Sequence, residues 1–429
     1  MTKTLIKNGA VLTQQGWQEP GYVLVDGEKI SQVGAGLPSD DIQAQDVIDA
    51  RYCAVMPGFI NGHTHFSQTF MRGLARGLGL LPWLKTLIWP LQAEINPEEF
   101  RLAAFLGLVE NIKCGVTEVV DHHKVTKSAV YTNHVCEAAN EIGLRFTLAR
   151  SWSDKGKNAE EAGEILADLE RLFEQWKDHR WIKIASGPLA LWRCSSKTLI
   201  AAHEMARRYG SFTHFHVAET RDEVQMSLDE YGKRPVEWLQ AIGVLDRGTQ
   251  IVHAVWVTDH EIELIAKSEA MVIHCPVANA VLGSGIAPVT TMLAQGIPIR
   301  LGTDGPASND DQDILEAAKT AVNLARVSNL DPMVLPPQQA LGLLLGKRVL
   351  SPGMPADLII INLNHARAVP VHDIDSAIIL SSHGSDVDTV MVNGKILMRD
   401  KKVLVLDEDE LLLECRTAIK GLRARAGID

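Results

Sequence analysis

The chain has 429 residues, of which 46% are apolar and 22% are charged, as in most folded globular proteins. Its net charge of −11, without any basic run, excludes a polyanionic partner such as DNA or RNA. The N-terminus has no signal-peptide pattern, and Pro82, Lys85 and Pro90 interrupt the most apolar stretch, LGLLPWLKTLIWPLQ. We therefore predict a cytoplasmic protein without a membrane span.

The two ends of the chain have the pattern of short β-strands. Asn8-Gly9 and Asp26-Gly27 are hairpin signals between β-prone runs near the start, and Asn393-Gly394 is a similar signal near the end. We expect the two halves to form one small β-sandwich domain, built from residues 1–56 and 352–429 and including a C-terminal helix.

Residues 57–351 alternate between strand-like and helix-like segments. Asn96-Pro97 precedes a helical run as a cap and first-turn pair, and a second helix runs from Ser195-Ser196 to a terminal Gly210. Eight mostly apolar strand candidates accompany them: FINGHTH, TEVVDHH, RFTLARS, WIKIASG, FTHFHVAE, TQIVHAVW, AMVIHCP and IPIRLGTD.

Eight buried parallel strands separated by helices predict an α/β fold, a (β/α)₈ TIM barrel. An open doubly wound sheet is the competing architecture. It usually carries a glycine-rich phosphate turn after its first strand, and this sequence has His-Thr-His at that place. The barrel is the favoured prediction.

Polar residues close five of these strands, at the barrel end where active sites form. They are His63 and His65 (first strand), His216 and Glu219 (fifth), His253 (sixth), His274 (seventh) and Asp304 (eighth). Each alone has an ordinary explanation, such as a hydrogen-bonded core histidine or an aspartate that begins a turn. Together they indicate a functional site, because His63 and His65 face the same side of a strand and imidazole is a common metal ligand.

With PGFINGHTHF, HFHVAET, VHAVW, HCPVANAVLGSGIAPV and LGTDGPASND in this order, the sequence resembles the amidohydrolase superfamily over nearly its whole length. It is similar to the branch of heterocycle deaminases and triazine hydrolases that includes guanine, 8-oxoguanine and S-adenosylhomocysteine deaminases. The resemblance implies His63, His65, His216 and Asp304 as ligands of one divalent ion, with zinc favoured and iron the alternative.

One metal is expected because this branch lacks a bridging lysine, and the fourth strand here ends in IASGP, with Lys183 placed earlier. His214 shares the face of His216 but lies deeper along the strand. We predict that it packs behind the ligands.

The resemblance also implies a hydrolytic reaction. A divalent ion lowers the pKa of a bound water and so supplies a nucleophile near neutral pH. Asp304 would accept its proton, His253 would orient it, and Glu219 would protonate the ring nitrogen beside the attacked carbon. The predicted enzyme is an aminohydrolase that acts on cyclic amidines and releases ammonia.

Candidate substrate-binding residues are Trp89, Gln92, His122, His123, Leu189 and Trp192. Relatives that accept adenine nucleosides carry a glutamate at the place of Gln92 and a histidine at that of Leu189. Both differences favour a free purine or pterin-like base as substrate. The pair His122-His123 resembles deaminases of free bases, although a structural histidine cluster explains it equally well.

Three other functions stay open at this point. They are a nucleoside deaminase of the S-adenosylhomocysteine or methylthioadenosine type, a triazine chlorohydrolase or aminohydrolase, and a barrel scaffold that has lost its metal. The expected partner is a small heterocyclic molecule, and analogy with the family predicts a homo-oligomer.

Overall fold

The computed structural model describes residues 3–74, 77–124, 128–156 and 158–428. In chain order, the strands are β1 (Lys3–Thr13), β2 (Gly16–Asp26), β3 (Lys29–Ala35), β4 (Asp46–Asp49), β5 (Cys53–Pro57), β6 (Phe59–Thr64), β7 (Val116–Lys124), β8 (Arg145–Trp152), β9 (Ile182–Pro188), β10 (Thr213–Val217), β11 (Thr249–His253), β12 (Met271–His274), β13 (Ile299–Leu301), β14 (Leu358–Asn362), β15 (Val387–Val392), β16 (Lys395–Arg399) and β17 (Lys402–Val403).

The α-helices are α1 (Leu80–Trp83), α2 (Trp89–Glu94), α3 (Pro97–Lys113), α4 (Ala129–Ile142), α5 (Ala162–Trp176), α6 (Ser196–Arg208), α7 (Arg221–Tyr231), α8 (Pro235–Ala241), α9 (Asp259–Ser268), α10 (Pro276–Val281), α11 (Val289–Ala294), α12 (Pro306–Asn309), α13 (Ile314–Asn329), α14 (Pro337–Leu345), α15 (Ile374–Ser376) and α16 (Glu408–Ala426). A π-helical segment, Leu84–Ile88, joins α1 to α2. None of these helices is both long and apolar enough to cross a membrane.

Strands from both ends of the chain form one mixed sheet in the order β17-β16-β15-β14-β5-β1-β2-β3, with β4 beside β1. The junction between the two halves is the antiparallel pairing of β5 with β14, where Val55 lies opposite Ile360. Both side chains are buried in a small core that also holds Ile6 and Met391. The predicted β unit from both termini is therefore confirmed, while its boundaries at residues 56 and 352 stay a prediction.

One predicted turn in this sheet is wrong. Asn8-Gly9 does not end a strand, because β1 continues to Thr13 and only its register against β2 shifts there. Asn8 has a φ of 68°, and a Cβ on Gly9 would lie 2.8 Å from the Val55 side chain. The dipeptide therefore serves a β-bulge at a close approach to β5, for which the same residue types are suited.

The second sheet contains the eight predicted barrel strands, parallel and in chain order from β6 to β13. The first and last strands meet where the backbone N–H of Asp304 donates to the carbonyl of His63 at 3.0 Å. This approach requires glycine, since a Cβ on Gly62 or Gly302 would lie 2.9 Å from backbone atoms of the opposite strand. The barrel prediction is confirmed, and the open sheet is excluded.

Local sequence signals begin the helices as expected. Asn96 caps α3, its side chain accepting from the Glu99 N–H while the Glu99 carboxylate accepts from the Asn96 N–H, both at 3.0 Å. The Ser195 hydroxyl accepts from the N–H of Thr198 at the start of α6. These bonds fix the residues at which the two helices begin.

Candidate active site

A cavity opens at the carboxyl ends of the barrel strands, where active sites of this architecture form. The predicted ligands His65, His216 and Asp304 line it, together with the predicted catalytic residues Glu219 and His253. His63 lies beneath them and is fully buried. The strand ends of this sequence therefore converge on one cavity.

The three ligand-candidate histidines are each oriented through their Nδ1 atoms. His65 Nδ1 lies 2.7 Å from the carbonyl of His122, and His216 Nδ1 lies 2.7 Å from that of Leu189. A carbonyl oxygen only accepts, so both Nδ1 atoms carry the hydrogen. In the neutral ring, the Nε2 atoms of His65 and His216 are then lone-pair donors that face the cavity.

His63 is oriented by a longer chain of contacts through His214. His214 Nδ1 donates to the Gln250 side-chain oxygen at 2.9 Å, so its Nε2 accepts from His63 Nδ1 at 2.7 Å. Burial lowers the pKa of His214 to about 4 and that of His63 well below its usual value, which keeps both rings neutral. His63 Nε2 is left as a third lone pair, and His214 lies behind the ligands as predicted.

The three Nε2 atoms and the Asp304 carboxylate are linked by a series of short contacts. Asp304 Oδ1 lies 3.4 Å from His63 Nε2 and 3.2 Å from His65 Nε2, and the Nε2 atoms of His65 and His216 are 3.3 Å apart. Four electron-pair donors repel at such distances unless they share a positive charge. Burial acts to lower the pKa of His65, but bonding to Asp304 raises it above its usual value. The residues thus fit a divalent cation, which would satisfy all four atoms at once.

Two other histidines lie close to this cluster. Atoms capable of binding metal lie within 4.8 Å of one another in two overlapping groups, one joining His122 to His63, His65 and His216, the other joining His253 to His63 and Asp304. The contacts of 3.2 to 3.4 Å connect only the four predicted ligands. His122 and His253 therefore border the cation position.

Asp304 and His253 are held at strand ends by unusual backbone conformations, with φ values of 63° and 72°. Asp304 is fixed further, since its carboxylate accepts from the N–H of Gly305 at 2.7 Å and from the hydroxyl of Ser308 at 3.1 Å. His253 Nδ1 donates to the Asn279 side-chain oxygen at 2.9 Å. Such strained positions persist where surrounding bonds over-determine them, often at functional sites.

Glu219 lies beside this cluster with a raised proton affinity. Its carboxylate is 3.5 Å from His253 Nε2 and accepts a hydrogen bond from Ser284 Oγ at 3.1 Å. Burial, with the nearby charge of Asp304, raises the pKa of Glu219 to about 8. A buried carboxyl group of this kind is protonated at neutral pH and can act as a general acid.

Glu223 is a site residue that the sequence analysis missed. Its carboxylate accepts from the Glu219 N–H at 2.7 Å and from the Trp192 indole N–H at 3.1 Å, so it ties the acid to the cavity wall. Burial and the Glu219 charge raise the pKa of Glu223 to about 7. The pattern Thr220-x-x-Glu223 is a helix-capping signal, which could have drawn attention to this glutamate.

Five of the six predicted substrate residues line the cavity: Trp89, Gln92, His122, Leu189 and Trp192. His123 does not, because neighbouring residues of β7 face opposite sides of the sheet. Its ring packs edge-on against Phe100 at 4.4 Å, and its Nδ1 contacts Asp121 at 3.2 Å. His123 therefore packs against neighbouring side chains and does not contribute to the cavity lining.

The rest of the cavity wall is mainly apolar and was only partly foreseen. The continuous helical segment Leu80–Glu94 contributes Leu80, Trp83, Leu84 and Ile88, and Leu282 lies on another side. The π-helical turn within this segment fits its position, since π-helical turns are frequent at functional sites. Gln68 and Ser151 are further lining residues that no sequence pattern indicated.

Residues 54–397 match the model of the Amidohydrolase family, and the chain belongs to that family. It is 36% identical over 435 residues to a 5′-deoxyadenosine deaminase of Methanobrevibacter smithii, with 98% of each chain covered. It is 34% identical to a 5-methylthioadenosine/S-adenosylhomocysteine deaminase of Pelotomaculum thermopropionicum, over 97% of this chain and 98% of that one.

Among solved structures, a zinc-bound adenosine deaminase of Xanthomonas campestris matches with a TM-score of 0.90 and 27% identity, with 98% of each chain covered. Taken with the family and the site, these similarities make the chain a hydrolase that acts on carbon–nitrogen bonds other than peptide bonds. The metal-free scaffold is disfavoured, because the described residues keep a convergent set of four cation-binding atoms.

Proposed function

We propose that the protein hydrolytically deaminates an adenine nucleoside with an uncharged 5′ position, such as 5′-deoxyadenosine or methylthioadenosine, and releases ammonia. The observation that carries the proposal is a buried acid, Glu219, between a cation-binding cluster and an apolar cavity wall. The relatives favour this nucleoside alternative over the free base expected from the sequence.

The free-base expectation gave too much weight to Gln92 and Leu189. A sugar hydroxyl can be bound by any polar group that lines the cavity. Gln68, Trp83 and Ser151 all reach the same space, and Gln68 and Ser151 lie outside the motifs considered from the sequence. Two altered positions therefore do not exclude a ribose.

We propose His63, His65, His216 and Asp304 as the residues that hold one divalent ion, most suitably zinc because imidazole and carboxylate ligands suit it. When bound, the ion supplies an activated water as nucleophile. The residues of the chain must then orient the substrate amine toward this cluster, donate a proton to the ring and transfer a proton from the water to the amine.

Glu219 would donate the first proton, to the ring nitrogen beside the amine-bearing carbon, so that negative charge does not build up on the heterocycle. The lone pair of His253 Nε2, fixed by the bond from Nδ1 to Asn279, would orient the attacking water. Asp304 would accept one proton of that water and pass it to the departing amine, and the second water proton would return to Glu219 as the ring carbonyl forms.

Apolar residues of the cavity lining support the proposal of an uncharged 5′ position. Leu80, Leu84, Trp89 and Leu282 offer apolar surface. A methyl or methylthio group would bury favourably there, whereas a charged group would lose hydration.

The test is ammonia release by metal-loaded protein from 5′-deoxyadenosine, methylthioadenosine, S-adenosylhomocysteine, adenosine, adenine and guanine. We expect the first two to have the highest kcat/KM. A free base as the best substrate would overturn the proposal. Chloride release from a chlorotriazine at a higher kcat/KM would assign the chain to triazine hydrolysis instead.

A further inference from the structure

Two polar side chains on the β7–β8 side of the cavity have unused hydrogen-bonding atoms. His122 and Ser151 are fully buried, and both line the cavity. Among the described residues, neither His122 Nδ1 nor Ser151 Oγ has a hydrogen-bond partner. Buried polar atoms without partners cost about 1–3 kcal/mol each, so the pair needs an explanation.

The contact of His122 with β9 determines which kind of partner it needs. His122 Nε2 lies 3.1 Å from the carbonyl of Gly187, so Nε2 carries the hydrogen. The ring packs 4.8 Å from that of His216 and 5.3 Å from that of His65, an environment that disfavours a further positive charge. In this neutral ring Nδ1 is an acceptor, and it requires a donor.

The short contacts that define the cation position do not include this atom. The four proposed ligands contact one another at 3.2 to 3.4 Å, and His122 takes part in none of those contacts. The residue lies on β7, whereas Glu219 follows β10 and His253 ends β11. His122 and Ser151 therefore line the cavity from different strands than the acid.

We propose that His122 and Ser151 form a recognition subsite for one hydrogen-bond donor of the substrate, a hydroxyl or N–H group beside the reacting ring. This inference rests on the proposed function. In a nucleoside, where N9 carries the sugar, a neutral adenine ring whose amine lies at the cation and whose N1 meets Glu219 has only acceptor nitrogens left. On a nucleoside the donor is then a sugar hydroxyl, which donates to His122 Nδ1 and accepts from Ser151 Oγ.

Two variants separate the recognition role from the packing role of His122. In His122→Gln the amide reaches the Nε2 position, so the bond to Gly187 is kept and the Nδ1 acceptor is lost. In His122→Asn the amide oxygen takes the Nδ1 position and the acceptor is kept. Ser151→Ala removes the second partner with little change of volume.

The experiment compares kcat/KM of each metal-loaded variant for 5′-deoxyadenosine, 2′,5′-dideoxyadenosine and 3′,5′-dideoxyadenosine. In the wild type, removing the recognised hydroxyl should lower kcat/KM on the order of 10- to 100-fold. His122→Gln should lose that discrimination, His122→Asn should keep part of it, and Ser151→Ala should reduce it. Bound metal should stay stoichiometric in all three.

Unchanged discrimination in His122→Gln would overturn the subsite, and loss of metal in that variant would make His122 a ligand instead. Either result leaves the proposed function intact if the wild type still deaminates 5′-deoxyadenosine. A His122-dependent preference for 2,6-diaminopurine over adenine, without any hydroxyl effect, would place the donor on the ring. The subsite would then stand while the nucleoside proposal fails.

Discussion

Two regions of the cavity are positioned by different interactions. The floor consists of the cation-binding cluster with His253 and Glu219, and the wall consists of the apolar lining residues. On the floor, each histidine is fixed by a directional bond, such as the contact of 2.7 Å between His216 Nδ1 and the carbonyl of Leu189. On the wall, Leu84, Trp89 and Leu282 are positioned mainly by packing, which is not directional. The chemistry therefore tolerates little change, whereas the choice of substrate can vary on the same floor.

This difference makes distinct predictions for the two regions. A floor substitution should reduce metal binding or the rate of the chemical step for every substrate. A wall substitution should change kcat/KM for one substrate relative to another. The floor variants below test the first of these predictions. Their effects on metal binding and rate should decrease with distance from the cation position.

The largest effect is expected for His216→Ala. It removes one of the four converging donor atoms, and the remaining three no longer enclose a cation. Purified protein should hold far less than stoichiometric zinc by elemental analysis, and kcat should fall more than ~10³-fold. His260→Ala, an exposed histidine on α9, is the matched control. Full metal content in His216→Ala would refute its assignment as a ligand.

Glu219→Gln should separate proton donation from metal binding. The amide keeps the size and the hydrogen bond with Ser284, but it cannot act as an acid. We expect stoichiometric metal together with a kcat lower by ~10²- to 10⁴-fold. If metal and activity disappear together, the glutamate supports the cation, and the proposed division of roles fails.

Much of the floor could be predicted from the sequence because its signals are local. Period-two alternation places His63 and His65 on one face, and the strand-end rule adds His216, His253 and Asp304. These patterns concern residues a few positions apart, or residues that the barrel topology brings together.

What the sequence did not indicate depends on contacts between distant elements. The link from Gln250 through His214 to His63 crosses three strands, and the bond between Glu223 and Trp192 joins helix α7 to the segment that follows β9. The error at His123 has a local cause instead. Alternation along β7 already places His123 on the face opposite that of His122. The wall was least predictable, because an apolar residue in a cavity has the same sequence pattern as one in a core.

Gln250→Leu should have an intermediate effect, because it acts on the cation through two histidines. Without the Gln250 oxygen, His214 Nδ1 loses its acceptor, and the orientation of His63 is no longer fixed. Zinc affinity, measured by competition with a chelator, should fall ~10- to 100-fold, with kcat near wild type once metal is saturating.

Two variants control for this effect. Gln250→Glu keeps an acceptor and should retain affinity, and the exposed Gln240→Leu should change nothing. Equal zinc affinities for Gln250→Leu and the wild type would mean that the link from Gln250 to His63 does not tune the metal site.

The smallest expected effect is a change of pH profile in Ser284→Ala. The Ser284 hydroxyl donates to the Glu219 carboxylate and so stabilises its charged form, which lowers the pKa of Glu219 against the larger effect of burial. Removing the hydroxyl should raise that pKa further, so the acid stays protonated to higher pH. The alkaline limb of kcat should then move up by about 0.5 to 1 pH unit, with metal content unchanged. Ser328→Ala, which removes a hydroxyl bonded within α13, should leave the profile in place. A downward shift in Ser284→Ala would mean that another group limits the rate at high pH, and that Glu219 is not the acid.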